Sequence, residues 1–150
     1  MAGVLLTAGW LLWAAPAAAA AGGCRPETPA VAGMARHDLR LAGEVLRVRV
    51  ADEPAEWRAG FQHLCPGAGG PILFVFPVPQ RMGFHMRNVH QPLDIAFLGE
   101  DGRVLAVARM APGRGRSLAP VPVRYVLEAP AGWLAARGLR PGGPALEGLP

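Results

Sequence analysis

Past its first two dozen residues, this chain is broken so often by proline and glycine that no long helix fits between the breaks. Sixteen prolines and twenty glycines in 150 residues impose short elements joined by many turns, since proline removes a backbone donor and glycine weakens both helices and strands. A helical bundle is disfavoured on that ground. The stretches between the breaks are mostly alternating or continuously apolar, which is the patterning of strands.

The opening, MAGVLLTAGWLLWAAPAAAAAGGC, carries an apolar run from Val4 to Ala15 followed by small residues. That pattern predicts a signal peptide or lipoprotein leader over residues 1–23. The run is short for a membrane span, which needs about 20 apolar residues. Reading on through the alanines reaches that length, so an uncleaved anchor stays open. Cys24 follows small residues, as in a lipidated cysteine. An exported chain also sits where disulfides persist, and Cys65 is its one available partner. Lipidation and a Cys24–Cys65 bond compete for the same sulfur, and both remain open here.

Residues 24–43 read as an irregular N-terminal arm, and residues 44–150 as a single domain with one core. Within the latter, EVLRVRVA alternates, with Leu46, Val48 and Val50 opposite Arg47 and Arg49, as in a half-solvated strand. Asp52, Glu53 and Pro54 suit a helix start, and Trp57, Phe61 and Leu64 form one stripe of it, with Pro66 and Gly67 as the stop. PILFVFP is the length of a strand buried on both faces. MGFHMRN alternates again. LDIAFL and RVLAVARM bracket GEDG as a hairpin, APGRGRSLAPVP is a loop, and VRYVLEA is a further strand. PAGWLAARG reads as a short helix capped by Gly138. Strands in close succession with few helical crossovers disfavour a doubly wound parallel sheet. The expected fold is mainly β (α+β): a small closed or nearly closed, mostly antiparallel β-barrel with two short flanking helices.

Every basic side chain is arginine, and the net charge of +4 is spread along the chain. No basic cluster is interleaved with aromatics, so nucleic acid is not the expected partner. The segment GFHMRNVHQPLDIAF (Gly83–Phe97) concentrates the polar groups. His85, Met86 and His90 supply imidazole and thioether donors suited to copper in an oxidising compartment, although His85 and Met86 face opposite ways on a strand. Cys65 lies at the end of the first predicted helix, where the dipole opposes a reactive thiolate, and Ser117 is the only serine. Asp94 and Glu128 are the carboxylates that a hydrolase would use. Asp94 stands alone in PLDIAFL, where a charge is costly unless paired. It reads as a latch for the RNVHQPLD connection, with Arg87, Asn88 or the amides near His90 and Gln91 as partners. The functional reading of the same residues is a polar pocket in which Arg87 grips a carboxylate or phosphate.

The blocks WRAGFQHL, GPILFVFPVPQRMGFHMRNVHQPLDIAFLGEDGRVL and PVRYVLEAPAGWLAARGLRPGG, spanning Val45 to Gly143, resemble in order the motifs of the domain-of-unknown-function 192 family. Members show a GLM helix segment, a GMLFVF strand, a FWMKNT…PLDIAF core and a VLE…G ending. The resemblance implies a small barrel of unusual topology, often exported, and implies no activity. It places the family's polar positions on Arg87 (where Lys is usual), Asn88, Pro92, Asp94 and Glu128. His85 stands where the family has Trp, Gln62 where it has Met, and Val89 where it has Thr. GGPALEGLP replaces a GD followed by a strand, which leaves the last strand open.

The expected protein is therefore an exported, monomeric, periplasmic or membrane-anchored envelope module, non-catalytic, with a small polar pocket. The candidate ligand residues are Arg87, Asn88, Asp94 and Glu128. No cofactor is expected. Its expected partner is a small anionic ligand or another envelope protein, and membrane contact is expected only through the leader or a lipid anchor. The rival readings are a hydrolase using Asp94 and Glu128, and a copper protein using His85, Met86 and His90.

Overall fold

The structure, a computed structural model, describes residues 23–150. Most of the expected leader, residues 1–22, lies outside the described residues. In chain order the elements are α1 (Pro29–Gly33), β1 (Ala35–Leu41), β2 (Glu44–Ala51), α2 (Pro54–Ala59), β3 (Ile72–Gln80), β4 (Gly83–His85), β5 (Leu93–Leu98), β6 (Val104–Met110), β7 (Arg116–Leu118), β8 (Val123–Pro130), a 3-10 turn at Ala135–Arg137 and β9 (Leu146–Glu147).

Seven strands form one curled sheet in the order β6-β5-β8-β3-β2-β1-β9. All neighbours are antiparallel except β2 and β3. A parallel pair needs a long crossover, and the segment carrying α2 supplies it. The curl brings the far edges together at one corner, where the Leu146 amide of β9 donates to the Gly102 carbonyl of the β5–β6 turn (2.9 Å). The expected nearly closed, mostly antiparallel barrel with short helices is the fold observed.

Alternation along the strands divides the apolar side chains between two cores. Leu39, Leu46, Leu73, Leu98, Leu127 and Leu146, drawn from strands across the whole sheet, pack together inside the curl. On the opposite face Ile72, Phe74, Phe76, Ile95, Phe97 and Val126 pack against residues of α1, of the α2 crossover and of the β4 region. The central strands β3, β5 and β8 are therefore apolar on both faces, as the continuous PILFVFP run requires.

Four local features differ from the sequence reading. The segment read as an irregular arm holds α1 and β1. β1 pairs with β2 through the two-residue loop Ala42–Gly43, and both loop residues have positive φ (+48° and +88°), the requirement of a type I′ turn. Helix α2 stops at Gly60 rather than at Pro66, because Gly60 turns to φ +43° while its amide still bonds the Glu56 carbonyl. Phe61 and Leu64 are buried nonetheless, from a turn instead of a helical stripe. The MGFHMRN alternation yields only the three residues of β4. They pair with β7, inside the segment read as loop, as a separate two-stranded ribbon. The helix expected over PAGWLAARG shortens to the 3-10 turn Ala135–Arg137, closed by Gly138 at φ +69°, and the C-terminal segment, left open above, forms β9, which pairs with β1.

Candidate functional site

The α2 crossover, the β4–β7 ribbon and the sheet enclose a cleft of about 470 Å³. Its floor is Phe74 and Phe76 of β3 with Glu128 of β8. One wall is Trp57, Arg58 and Gly60 of the α2 turn, and the other is Met82, Phe84, His85 and Arg87. Local chemistry fixes each wall. Glu56 caps the start of α2 by accepting from the Asp52 and Glu53 amides (3.0 and 3.2 Å), the back-bonding half of a capping box. The Trp57 indole N–H donates to the carbonyls of Ala51 (2.9 Å) and Val75 (3.2 Å), and its ring lies 5.2 Å from that of Phe76. Phe84 meets Phe74 edge-on at 5.2 Å, a favoured aromatic geometry. These contacts hold the apolar lining before any ligand arrives.

Glu128 is the chemical centre of the cleft. Its strand is central and its neighbours in register are Ile72 and Ile95, so the side chain is only 5% exposed. Among the described residues its carboxyl has no hydrogen-bond or ion-pair partner, and burial alone pushes its pKa up to about 8. Near neutrality it is a protonated acid able to donate one hydrogen bond into the cleft. A Cβ at Gly60 would stand 3.8 Å from Glu128 Oε2 and 3.4 Å from the Phe74 ring, so glycine there keeps the floor open as well as turning the chain. Arg58 and Arg87 at the rim are exposed, and neither joins any of the four ion pairs among the described residues.

Asp94 lies elsewhere. It pairs in register with Ala129 while Glu128 pairs with Ile95. Because successive strand side chains point to opposite faces, the two carboxyls sit on opposite faces of the sheet. The hydrolase reading is thereby corrected: the sheet itself separates its two acids. Asp94 is paired, but it does not latch the RNVHQPLD connection as expected: it ties β5 to β6 and to the turn after β8. Arg109, directly opposite on β6, donates Nε and Nη2 to its two oxygens (2.7 and 3.0 Å), and the Gly132 amide donates at 2.7 Å. Burial works to raise its pKa, but the Arg109 fork and the Gly132 amide outweigh it and hold the carboxyl below its usual value.

The RNVHQPLD connection is tied by other groups. The Asn88 carbonyl accepts from the His63 amide (2.8 Å), and its side-chain amide donates to Gln62 Oε1 (3.2 Å). Gln91 accepts from the Gly67 amide (3.0 Å) and donates to the Ala68 carbonyl (3.1 Å). Asn88 therefore serves as a joint, with φ +60°, and does not line the cleft. Of the four candidate ligand residues, Arg87 and Glu128 share the cleft; Asn88 and Asp94 do not. The copper set is also not assembled: Met86 is 1% exposed in the core, while His85 and His90 are on the surface. Trp57, Arg58, Gly60 and Phe84 were not singled out as site residues. Their patterning is that of an ordinary helix stripe and strand core, and only the crossover brings them over Glu128.

Cys24 and Cys65 are joined by a disulfide with 4.8 Å between their Cα atoms. The Arg25 amide donates to the His63 carbonyl (2.7 Å) and the Cys65 amide to the Arg25 carbonyl (2.9 Å), which seats the segment beside the bond. The Cys24 sulfur that lipidation would use is occupied by this bond.

A small curled barrel carrying the ordered blocks described above places this chain in a class of uncharacterised domains. Residues 37–144 match the family model DUF192, described as an uncharacterised ACR, and the chain belongs to that family. No curated protein matches it. Two crystal structures are similar in sequence and fold. One is a Sinorhizobium meliloti protein provisionally described as a transcription regulator (29% identity, 77% of this chain and 95% of that chain covered, TM-score 0.66). The other is a protein of unknown function from Novosphingobium aromaticivorans (30% identity, 79% and 89% covered, TM-score 0.66).

Proposed function

We propose that this protein is an exported, non-catalytic binding module of the cell envelope whose lateral cleft takes a small anionic ligand with an apolar body. The observation that carries this reading is the unpartnered, buried Glu128 at the floor of an aromatic cleft rimmed by two unpaired arginines. A cleft of about 470 Å³ lies within the range of small-molecule sites, which combine apolar walls with a few convergent polar groups. At neutral pH the protonated Glu128 adds no negative charge, so the rim arginines dominate the field. The ligand's apolar body stacks on Phe74 and Phe84, its acid meets Arg87, and an acceptor on its far end takes the Glu128 proton donor. The Cys24–Cys65 bond supports export, because disulfides form and persist in oxidising compartments.

Calorimetric titration with 2-naphthoate at pH 6.5 tests the binding role. Saturable binding that Arg87→Ala weakens at least tenfold, and Arg36→Ala leaves unchanged, is the expected result. No heat with the intact protein would remove the anion-binding reading. Mass spectrometry of protein recovered from its native envelope tests export: the expected mass is that of a chain lacking the leader and two hydrogens, with no lipid.

A further inference from the structure

The cleft does not end at Arg87. Beyond it lies a second depression of about 320 Å³, lined by His85, Arg87, Arg114, Arg116 and the glycines beside them. Its floor is built by the β4–β7 ribbon and by the turn that follows β6. His85 and Arg116 are directly opposed across that ribbon and therefore project from the same face. The turn is fastened to β4 by the Gly113 amide donating to the Met86 carbonyl (3.1 Å) and the Met86 amide to the Gly115 carbonyl (2.9 Å). Arg114 stands in that turn between the two fastened glycines, and it lines the depression together with Arg87.

Three guanidinium groups thus frame one hollow that no carboxylate lines. Where arginines of this protein meet acids, they pair with them: Arg47 with Asp38, Arg49 with Glu27, Arg103 with Asp101 and Arg109 with Asp94. Arg87, Arg114 and Arg116 are exposed and join none of the ion pairs among the described residues, and three like charges around one hollow are relieved more fully by a dianion than by a carboxylate. Arginine's fork also matches tetrahedral phosphate oxygens in pairs. Arg87 and His85 line both hollows, so the arginine depression adjoins the aromatic cleft across these two side chains.

We infer that the depression framed by Arg87, Arg114 and Arg116 is a phosphate subsite, and that the ligand of the adjoining cleft is a phosphate monoester with a compact apolar body. This inference rests on the anion-binding reading of the cleft and adds the identity of the head group. Binding is by charge and hydrogen bonding alone, with no bond made or broken in the ligand.

The test is calorimetric titration of the full oxidised protein, at pH 6.5 and low salt, with 2-naphthyl phosphate, 2-naphthoate, 2-naphthol and inorganic phosphate. Affinity for 2-naphthyl phosphate is expected to exceed that for 2-naphthoate and for inorganic phosphate at least tenfold. The double variant Arg114→Ala/Arg116→Ala should abolish the preference over 2-naphthoate while changing 2-naphthoate affinity less than twofold. Both side chains are exposed and outside any ion pair, so an unchanged melting temperature should accompany the loss. Equal affinity for the two acids, indifferent to the double variant, would overturn the phosphate subsite and leave the cleft reading standing. Failure of both acids to bind would overturn both. A DNA duplex bound through Arg114 and Arg116 and not displaced by 2-naphthyl phosphate would also overturn it, by showing the arginines to serve a backbone polyanion.

Discussion

Glu128 and Asp94 sit one rung apart in the β5–β8 register, and pH should act on them in opposite senses. The Glu128 pKa is pushed up to about 8 in the fold, against an ordinary value of 4.5. Below pH 4.5 both folded and unfolded chains carry the proton, and burial costs nothing in this respect. Between these values the folded state binds more protons, so stability falls as pH rises, by on the order of 5 kcal/mol once pH exceeds about 8. Glu128→Gln removes the ionisation, and its melting temperature should stay nearly level from pH 5 to 9 while that of the parent declines. A parent curve as flat as the variant's would show that the carboxyl is solvated. Asp94 has the reverse sign. Its folded pKa is depressed below 3.8, so its contribution is complete above the unfolded value and disappears as pH falls through the folded one. Asp94→Asn should lose about 1–3 kcal/mol at pH 7, the cost of breaking charge-assisted hydrogen bonds at a buried site, and should narrow its difference from the parent toward pH 2. Denaturant melts at both pH values measure this. The exposed side of Arg109 keeps the figure modest, since solvent screens the pair there.

Among the elements, the β1–β2 hairpin shows where local conformation and sequence part. Ala42 holds φ +48° before Gly43, a left-handed position that an alanine occupies against its steric preference. Ala42→Asn supplies the residue that type I′ turns favour, and should raise stability by about 0.5–1 kcal/mol, read as a higher denaturant midpoint at unchanged slope. That alanine also hid the hairpin: Ala-Gly is a weak turn signal, and β1 offers only Leu39 and Leu41 as buried alternating residues. β5, β6 and β8 were legible because their apolar runs are long and their turns are rich in glycine. β4 was legible only as part of the longer MGFHMRN alternation and β7 not at all, for they are three residues each and stable only against one another. The site was half legible on the same grounds. Glu128 and Arg87 stand out as charges in or beside apolar strands, but pattern within a strand cannot show which face meets which crossover. The Asp94–Arg109 pair needed only the hairpin register, which the GEDG turn and its flanking strands contain. Arg109 was missed because arginines alternate with apolar residues in several strands and carry no mark of their own.

Across the whole molecule, the sheet closes on itself through β9 and the Gly102 turn, whereas the outer face depends on short covering segments. A Cβ on Gly102 would fall 1.8 Å from the Leu146 carbonyl oxygen, so backbone meets backbone at the closing corner and glycine is needed there. The outer face has no such seam. α1 and α2 are five and six residues long, too short to persist unaided in water. Val31 in the core and the Arg49 guanidinium on the Val31 carbonyl hold α1, and the Cys24–Cys65 bond, with a sequence separation of 41, ties the segment before it to the crossover. Cross-linking a loop of that length removes chain entropy from the unfolded state worth about 4 kcal/mol in the loop-closure model. Cys24→Ser/Cys65→Ser should therefore lower the melting temperature by about 10 °C or more for a domain of this size. Far-UV dichroism at 20 °C should be nearly unchanged, because the seven-stranded sheet does not depend on the bond. The α2 wall of the cleft should loosen first, seen as faster amide exchange over residues 54–64 than over β3, β5 and β8. Equal exchange in both regions would mean that the sheet alone holds the cleft open. An increase confined to residues 54–64 would tie the shape of the cleft, and with it any ligand affinity, to an oxidising environment.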